Sequence, residues 1–402
     1  MSCNWFNIGR IEINDTKSKV LIYRIRNDHY NKYKKIWYCG NNLEFEQVDN
    51  FKYLGLITQS NNKNTIHFDK LCKNVAHKRY IFHKLKLSCN LKELLIIFNS
   101  HFRSIIEYGN EIIIWNKQHL LTLEVQQCKI LRILYGNKHN IGKIEWLYGE
   151  LGIEYIEQRA ILSKLIFLKN ILDRNNKNEY IYNILNQLWN CNDKNNNTLY
   201  GNNNNNWIKY IKKYFILLNI NHFSFQDIEL MDKKDWHNLI TNNIISYFKN
   251  IWNTNRNKSN RTLTLYNKIV FDYNQYHILI NKYNIGISNF IFLSKIRGNI
   301  ILDDEKYYSY STSPHKLNEN GMKICNFCND LVNWNVNHLC LECNNCSYER
   351  NTLINSLNKY FTSISKISIW NTLTINEKIL TSLGKYSSLH NIYLNNKNIT
   401  EF

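Results

Sequence analysis

The chain has 402 residues, 44% of them hydrophobic and 14% aromatic, which is material for about two or three domains with real cores. Lys and Arg number 51 against 32 Asp and Glu, and the resulting net charge of +19 favours a polyanionic partner over a small-molecule substrate. There is no apolar run of about 18 residues, no basic stretch ahead of an apolar core at Met1-Ser2-Cys3-Asn4-Trp5, and too dilute a set of cysteines for a disulfide framework. No transmembrane helix, secretory signal or membrane partner is expected. The expected setting is intracellular, nucleus or cytoplasm, with reduced thiols.

In chain order, alternation at Ile11, Ile13 and Val20–Tyr23, and the segment Phe51–Ile57, predict short strands within residues 1–62. From residue 63 the period turns helical, with Phe68, Leu71, Cys72, Val75, Phe82 and Leu85 on one apolar stripe. Asn90 with Glu93 predicts a capping box. The helix it opens carries Leu91, Leu94, Leu95, Phe98, Phe102, Ile105 and Ile106, and Gly109 stops it. A third helix sets Leu121, Val125, Cys128, Leu131 and Tyr135 on its inner side and ends before Gly136. The stretch 156–172 is apolar nearly all round, as in a buried helix, and the helical region 63–190 closes soon after it.

Residues 191–206, rich in Asn, read as a linker on composition alone. A second helical region covers 207–320, with its clearest periods near 207–218, 236–252 and 290–297. A cysteine-bearing module follows at 321–350, then a weakly defined helical tail at 351–402. The expected fold is mainly α, with a small β portion at the N-terminus and a small zinc-knuckle-like module near the C-terminus.

Cys325-x2-Cys328-x9-His338-x4-Cys343 is the sharpest chemical signal. A CxxC knuckle presents two thiolates on one side, and a following His and Cys can close a tetrahedral zinc site with no open position for chemistry. Cys340 and Cys346 lie close enough in sequence to compete as ligands. Cys3, Cys39, Cys72, Cys89, Cys128 and Cys191 read as ordinary core or surface thiols.

The second signal is basic. Lys70, Lys73, His77 and Lys84 fall away from the apolar stripe of the helix that begins near His67, and Lys78, Arg79 and Lys86 add charge. Such a row can follow a phosphate backbone, with Tyr80 placed to stack on a base or sugar. A plain solvated helix face has the same pattern. Asp303-Asp304 superficially resembles paired metal-binding carboxylates, but two-metal chemistry needs a third carboxylate from another strand. With Glu305-Lys306 following at once, the pair reads as a polar loop.

The order of these blocks resembles the C-terminal half of reverse transcriptases from non-LTR (LINE, jockey-like) retrotransposons. Ile11 to Val20 is similar to the family's LxINxxKTKxM segment, and Phe51-Lys52-Tyr53-Leu54-Gly55 to its FKYLG segment. Glu107-Tyr108-Gly109, Trp115, Glu124, Gln127 and Leu131-Arg132-Ile133-Leu134 resemble its thumb region. Glu150-Leu151-Gly152 resembles its ELG stretch, with Tyr155 near where proline is expected. Leu293 to Gly298 resembles its RLRTG turn, just ahead of a Cys-Cys-His-Cys motif with the spacing found here.

The resemblance spans most of the chain and implies palm-remnant strands at 1–62, a thumb-like region at 63–190 and a connector at 207–320. It implies partners in RNA or DNA, such as an element RNA or a template–primer duplex. The family's magnesium-binding catalytic aspartates lie upstream of the Lys17 block, so the resemblance implies no catalytic residues and no primer extension for this chain. Magnesium belongs to the full-length family enzyme only. The alternative is a cellular nucleic-acid-binding or interaction protein with a structural zinc module.

Overall fold

The computed structural model describes residues 17–23, 36–39, 43–61, 63–136, 143–173, 179–190, 207–258, 263–269, 273, 287–298, 323–325, 327–332, 337–363, 371 and 373–383. The strands expected at Ile11 and Ile13, the linker at 191–206 and Asp303-Asp304 lie outside the described residues. Within them the fold is mainly helical with a few short strands. The chain divides into two units, Met1–His77 with Ser104–Leu123 and Arg159–Asn243, and Lys78–Arg103 with Glu124–Gln158 and Ile244–Phe402.

The first unit opens with β1 (Lys19–Leu21), β2 (Ile36–Cys39) and β3 (Leu43–Val48), in the order β1-β3-β2. β1 is parallel to β3 and β2 antiparallel to it, with Glu46 opposite both Lys19 and Ile36. The segment 51–57 is not one strand. It turns back between β4 (Asn50–Tyr53) and β5 (Leu56–Gln59), through Leu54 at φ 46° and Gly55 at φ 88°. Two positive φ values are what a two-residue hairpin turn needs, and a leucine in that region is strained. The Tyr108 hydroxyl holds the turn by donating to the Leu54 carbonyl. A Cβ on Gly55 would sit 2.7 Å from that hydroxyl oxygen, so only glycine fits.

Helix α1 (Thr65–Leu85) follows the hairpin and buries Leu71, Val75 and Phe82, half-burying Phe68, Cys72 and Leu85. Near its start, His67 stacks on Trp115 and Phe68 on His119, with ring centroids 6.3 and 4.2 Å apart. Three indoles of this unit find an acceptor. Trp115 donates to the Asn110 side chain at 2.7 Å, Trp207 to the Glu111 carbonyl at 2.8 Å and Trp236 to the Leu165 carbonyl at 3.0 Å. Two buried lysines are also satisfied by backbone. Lys169 reaches the Ile228 and Glu229 carbonyls at 3.0 Å, and Lys164 donates to the Asn110 carbonyl. Burial pushes the Lys164 ammonium down to about 7.

In the second unit, Asn90 and Glu93 make the expected capping box, each side chain bonded to the other's N–H at 2.9 Å. It starts α2 (Leu91–Ile97), which continues through a π-helical turn, Phe98–Arg103, with Phe98 and Phe102 buried. Short α3 (Ser104–Glu107), which belongs to the first unit, comes next in the chain, and Gly109 follows at φ 82°. Helix α4 (Lys117–Leu131) does not present the expected inner side throughout. Leu121 and Val125 are 51% and 44% exposed, whereas Cys128, Leu131 and Tyr135 are buried together with Leu120, Leu123, Ile130 and the polar Gln127.

The reason is a polar knot among α4, α5 (Ile144–Leu151) and the start of α6 (Ile156–Leu172). Gln127 donates to the Tyr148 hydroxyl at 2.8 Å and to the Glu154 carbonyl at 3.0 Å. Glu124 accepts the Ile156 N–H at 3.0 Å and the Tyr148 hydroxyl. Burial pushes the Glu124 carboxyl up to about 7, against bonds from Tyr148 and Ile156 and the charge of Arg103. A carboxyl that holds its proton more tightly when folded stabilises most below the ordinary carboxylate pKa. That contribution fades as pH rises through 7. The thermal midpoint of Glu124→Gln should therefore lose less than the parent's between pH 5 and 8. Parallel pH curves for the two proteins would refute this.

Beyond α6, the described helices are α7 (Glu179–Asn190), α8 (Trp207–Leu217), α9 (Phe225–Leu230), α10 (Lys233–Lys258), α11 (Thr264–Lys268) and α12 (Ile287–Arg297). In the second unit Glu150 of α5 meets Arg297 of α12 with both side chains fully buried. Arg297 Nε donates to Glu150 Oε1 at 2.7 Å, and a second bond joins Nη2 to Oε2. Arg297 Nη1 also reaches the Leu383 carbonyl at 3.0 Å. Trp146 donates to the Ser294 carbonyl at 3.0 Å, and a Cβ on Gly298 would lie 2.6 Å from its indole nitrogen.

Candidate metal centre and basic helix face

The chain after residue 322 builds a cradle from small pieces. β6 (Lys323–Ile324) pairs antiparallel with β7 (Leu331–Val332), and the tight connection carries Cys325 and Cys328. Three bonds shape that connection. Cys325 N–H donates to the Asp330 carbonyl at 2.9 Å, Asn329 N–H to the Cys325 carbonyl at 2.8 Å, and Phe327 N–H to Cys325 Sγ at 3.4 Å. Asn329 sits at φ 62°, a conformation its short polar side chain tolerates. A π-helical turn, His338–Glu342, supplies the third group. Cys343 ends it, bonding its N–H to the His338 carbonyl at 2.7 Å. The chain then enters α13 (Ser347–Ser363), followed later by α14 (Ile375–Ser382).

Cys325 Sγ, Cys328 Sγ, the His338 ring nitrogen and Cys343 Sγ all lie within 4.8 Å of one another. Cys325 and Cys343 sulfurs are 3.9 Å apart, and Cys328 Sγ lies 3.5 Å from His338 Nε2. A tetrahedron with Zn–S near 2.3 Å and Zn–N near 2.0 Å has edges of about 3.8 and 3.5 Å. These two edges fit it. Cys325, His338 and Cys343 are buried and Cys328 is half-buried, so the cluster is screened from water.

His338 Nδ1 faces Glu342 Oε2 at 3.8 Å, while Asn337 donates to the other carboxylate oxygen. A carboxylate behind a ligating imidazole orients the ring and raises its basicity. Burial works to raise the Cys343 thiol, yet hydrogen bonds from Cys346, Cys325 and the backbone N–H groups of Cys346 and Asn345 draw it below the ordinary thiol value. That seat favours a thiolate. Of the two competing cysteines, neither Cys340 nor Cys346 belongs to the four-residue set. The described residues thus present four protein donors in a geometry able to hold a metal ion.

Of the basic residues singled out in the sequence, all but Lys86 lie on α1; Lys86 follows its end and donates to the Ile133 carbonyl at 3.0 Å. Lys70, Lys73, His77 and Lys84 are exposed, and Lys78 and Arg79 are half-buried. Their spacing of three, four and seven residues keeps the exposed four on one helical stripe. Tyr80 lies in the same stripe, 66% exposed, with the Lys84 ammonium 4.7 Å over its ring. Lys52 and His67, which no sequence pattern singles out, share an open groove with Lys70 and Tyr108. A buried histidine beside two lysines becomes visible only when the hairpin is folded against the start of α1. No protein-family model, curated protein or solved structure matches the chain.

Proposed function

We propose that the chain is a nucleic-acid-binding segment of retrotransposon reverse-transcriptase type, with a structural zinc module near its C-terminus. The observation that carries the binding part is the exposed cationic stripe on α1, in a chain of net charge +19. The ordered sequence blocks support the finer reading, in which 1–62 is a palm remnant, 63–190 a thumb and 207–320 a connector. Zinc held by Cys325, Cys328, His338 and Cys343 leaves no coordination position open, so its role is to fix the module rather than to react.

Contacts made by the α1 stripe go to phosphates, so binding should tolerate sequence changes and weaken with salt. Replacing Lys70, Lys73 and Lys84 together by Gln removes three charges and leaves Leu71, Val75 and Phe82 untouched. Affinity for single-stranded or structured RNA should fall. The slope of log affinity against log salt should flatten by about 2 to 3, at roughly 0.7 to 0.9 per lost phosphate contact. An unchanged affinity and slope would make the stripe a solvated surface and refute the proposal.

A further inference from the structure

The groove shared by the β4–β5 hairpin and the start of α1 combines three features that point to an anion. It has a volume of about 430 Å³, and its lining includes Lys52, His67, Lys70, Leu71, Ile105 and Tyr108. Lys52 and Lys70, from different elements, are both exposed at it, and no carboxylate lines it among the described residues. His67 is only 6% exposed. Its Nδ1 accepts the Ile57 N–H at 3.4 Å, which places the proton of the neutral ring on Nε2. That Nε2 is buried and has no hydrogen-bond partner among the described residues.

An unpaired buried donor is costly unless a ligand completes it. Burial, and then the charge of Lys70, lower the pKa of His67, which favours the neutral ring as an Nε2–H donor. Tyr108, half-exposed and pinned by its hydroxyl to Leu54, adds a fixed aromatic surface at the same groove. Leu71 and Ile105 make the remaining wall apolar, as a sugar or base edge beside a phosphate would require.

We propose that this groove seats one phosphate group between the ammonium groups of Lys52 and Lys70, with the buried His67 ring in the wall beside it, turning to offer its unpaired Nε2–H when the anion binds. A nucleic-acid strand as its source rests on the function proposed above. The groove supplies a defined seat at the start of the cationic stripe, with which it shares Lys70.

The test uses the full chain with its histidine rings isotopically labelled, the His67 signal being assigned by its loss in His67→Gln. Inorganic phosphate should shift the His67 ring resonance saturably. The shift should be lost or need much more phosphate in Lys52→Gln, and again in Lys70→Gln, two exposed positions whose replacement spares the core. In parallel, a short RNA with and without a 5′-phosphate should bind Lys52→Gln about fivefold more weakly than the parent, as loss of one charge-assisted contact implies. Loss confined to the 5′-phosphorylated RNA identifies a terminal phosphate as the ligand, and equal loss for both identifies a backbone diester. A His67 signal indifferent to phosphate, or a phosphate response identical in the parent and both lysine variants, overturns the seat. Should the parent bind no RNA while phosphate still moves His67 through Lys52, the groove stands and the nucleic-acid function falls.

Discussion

The purified chain is expected to carry one zinc ion, and Cys325→Ser and Cys343→Ser chains to carry none. Cys340→Ser and Cys346→Ser should retain it, because neither residue belongs to the set of four donors within 4.8 Å. The effect should be large. Structural zinc contributes an apparent binding free energy of about 10–16 kcal/mol in small zinc-binding peptides near pH 7, and that energy is folding energy. The described strands here, β6 and β7, are two residues each, and beside a bond from the Asn345 side chain to the Phe327 carbonyl the ion would be a principal tie between the knuckle and the segment that follows it. Stripping the metal should make the chain around 321–350 sensitive to protease while distant segments stay protected. Acidification should release the ion, because protons compete for the thiolates and for the imidazole. Elemental analysis finding no zinc, or finding the same content in Cys325→Ser, would refute the assignment.

How far the sequence led depended on how local each feature is. Asn90 and Glu93 are three residues apart and act within one helical turn, so their capping box was legible. The Cys-Cys-His-Cys spacing was legible for a related reason: each pair of donors sits in a short turn. The hairpin at Leu54-Gly55 was not, because leucine is a poor marker of positive φ. Alternation alone therefore reads 51–57 as strand without placing its turn, and only the family resemblance suggests a hairpin there. β2 and β3 carried too mixed a pattern to be seen. On α4, apolar character pointed to Leu121 and Val125, but Gln127 is what the core takes in. Its amide is satisfied by Tyr148 and by the Glu154 carbonyl, partners on other parts of the chain. Periodicity alone gives no warning of that. His67 shows the same limit at the candidate phosphate seat, where the decisive fact is a bond from Ile57.

Replacing Arg297 by Met is expected to destabilise the second unit by about 3–5 kcal/mol, the usual cost of leaving one member of a buried ion pair alone. Glu150 and Arg297 are both fully buried, and Arg297 makes two bonds to the carboxylate and one to the Leu383 carbonyl. Methionine fills most of the volume, so the loss reports the stranded Glu150 charge and the unpaired carbonyl more than a cavity. The partner mutation separates these. Arg297→Met with Glu150→Gln should recover part of the stability, because a neutral amide is cheaper to bury than an unpaired carboxylate. Full recovery is not expected, since the Leu383 carbonyl still lacks its donor. Urea unfolding followed by tryptophan fluorescence can read the effect, as Trp146 donates to the Ser294 carbonyl one helical turn before Arg297. A single-variant loss below about 1 kcal/mol would mean the pair is solvated, since that is the range of exposed ion pairs. Two sequence blocks 147 residues apart meet at this pair. Its removal should therefore loosen α5 and α12 together, as amide exchange in both helices would reveal, whereas loosening of α12 alone would make the bond a local tether.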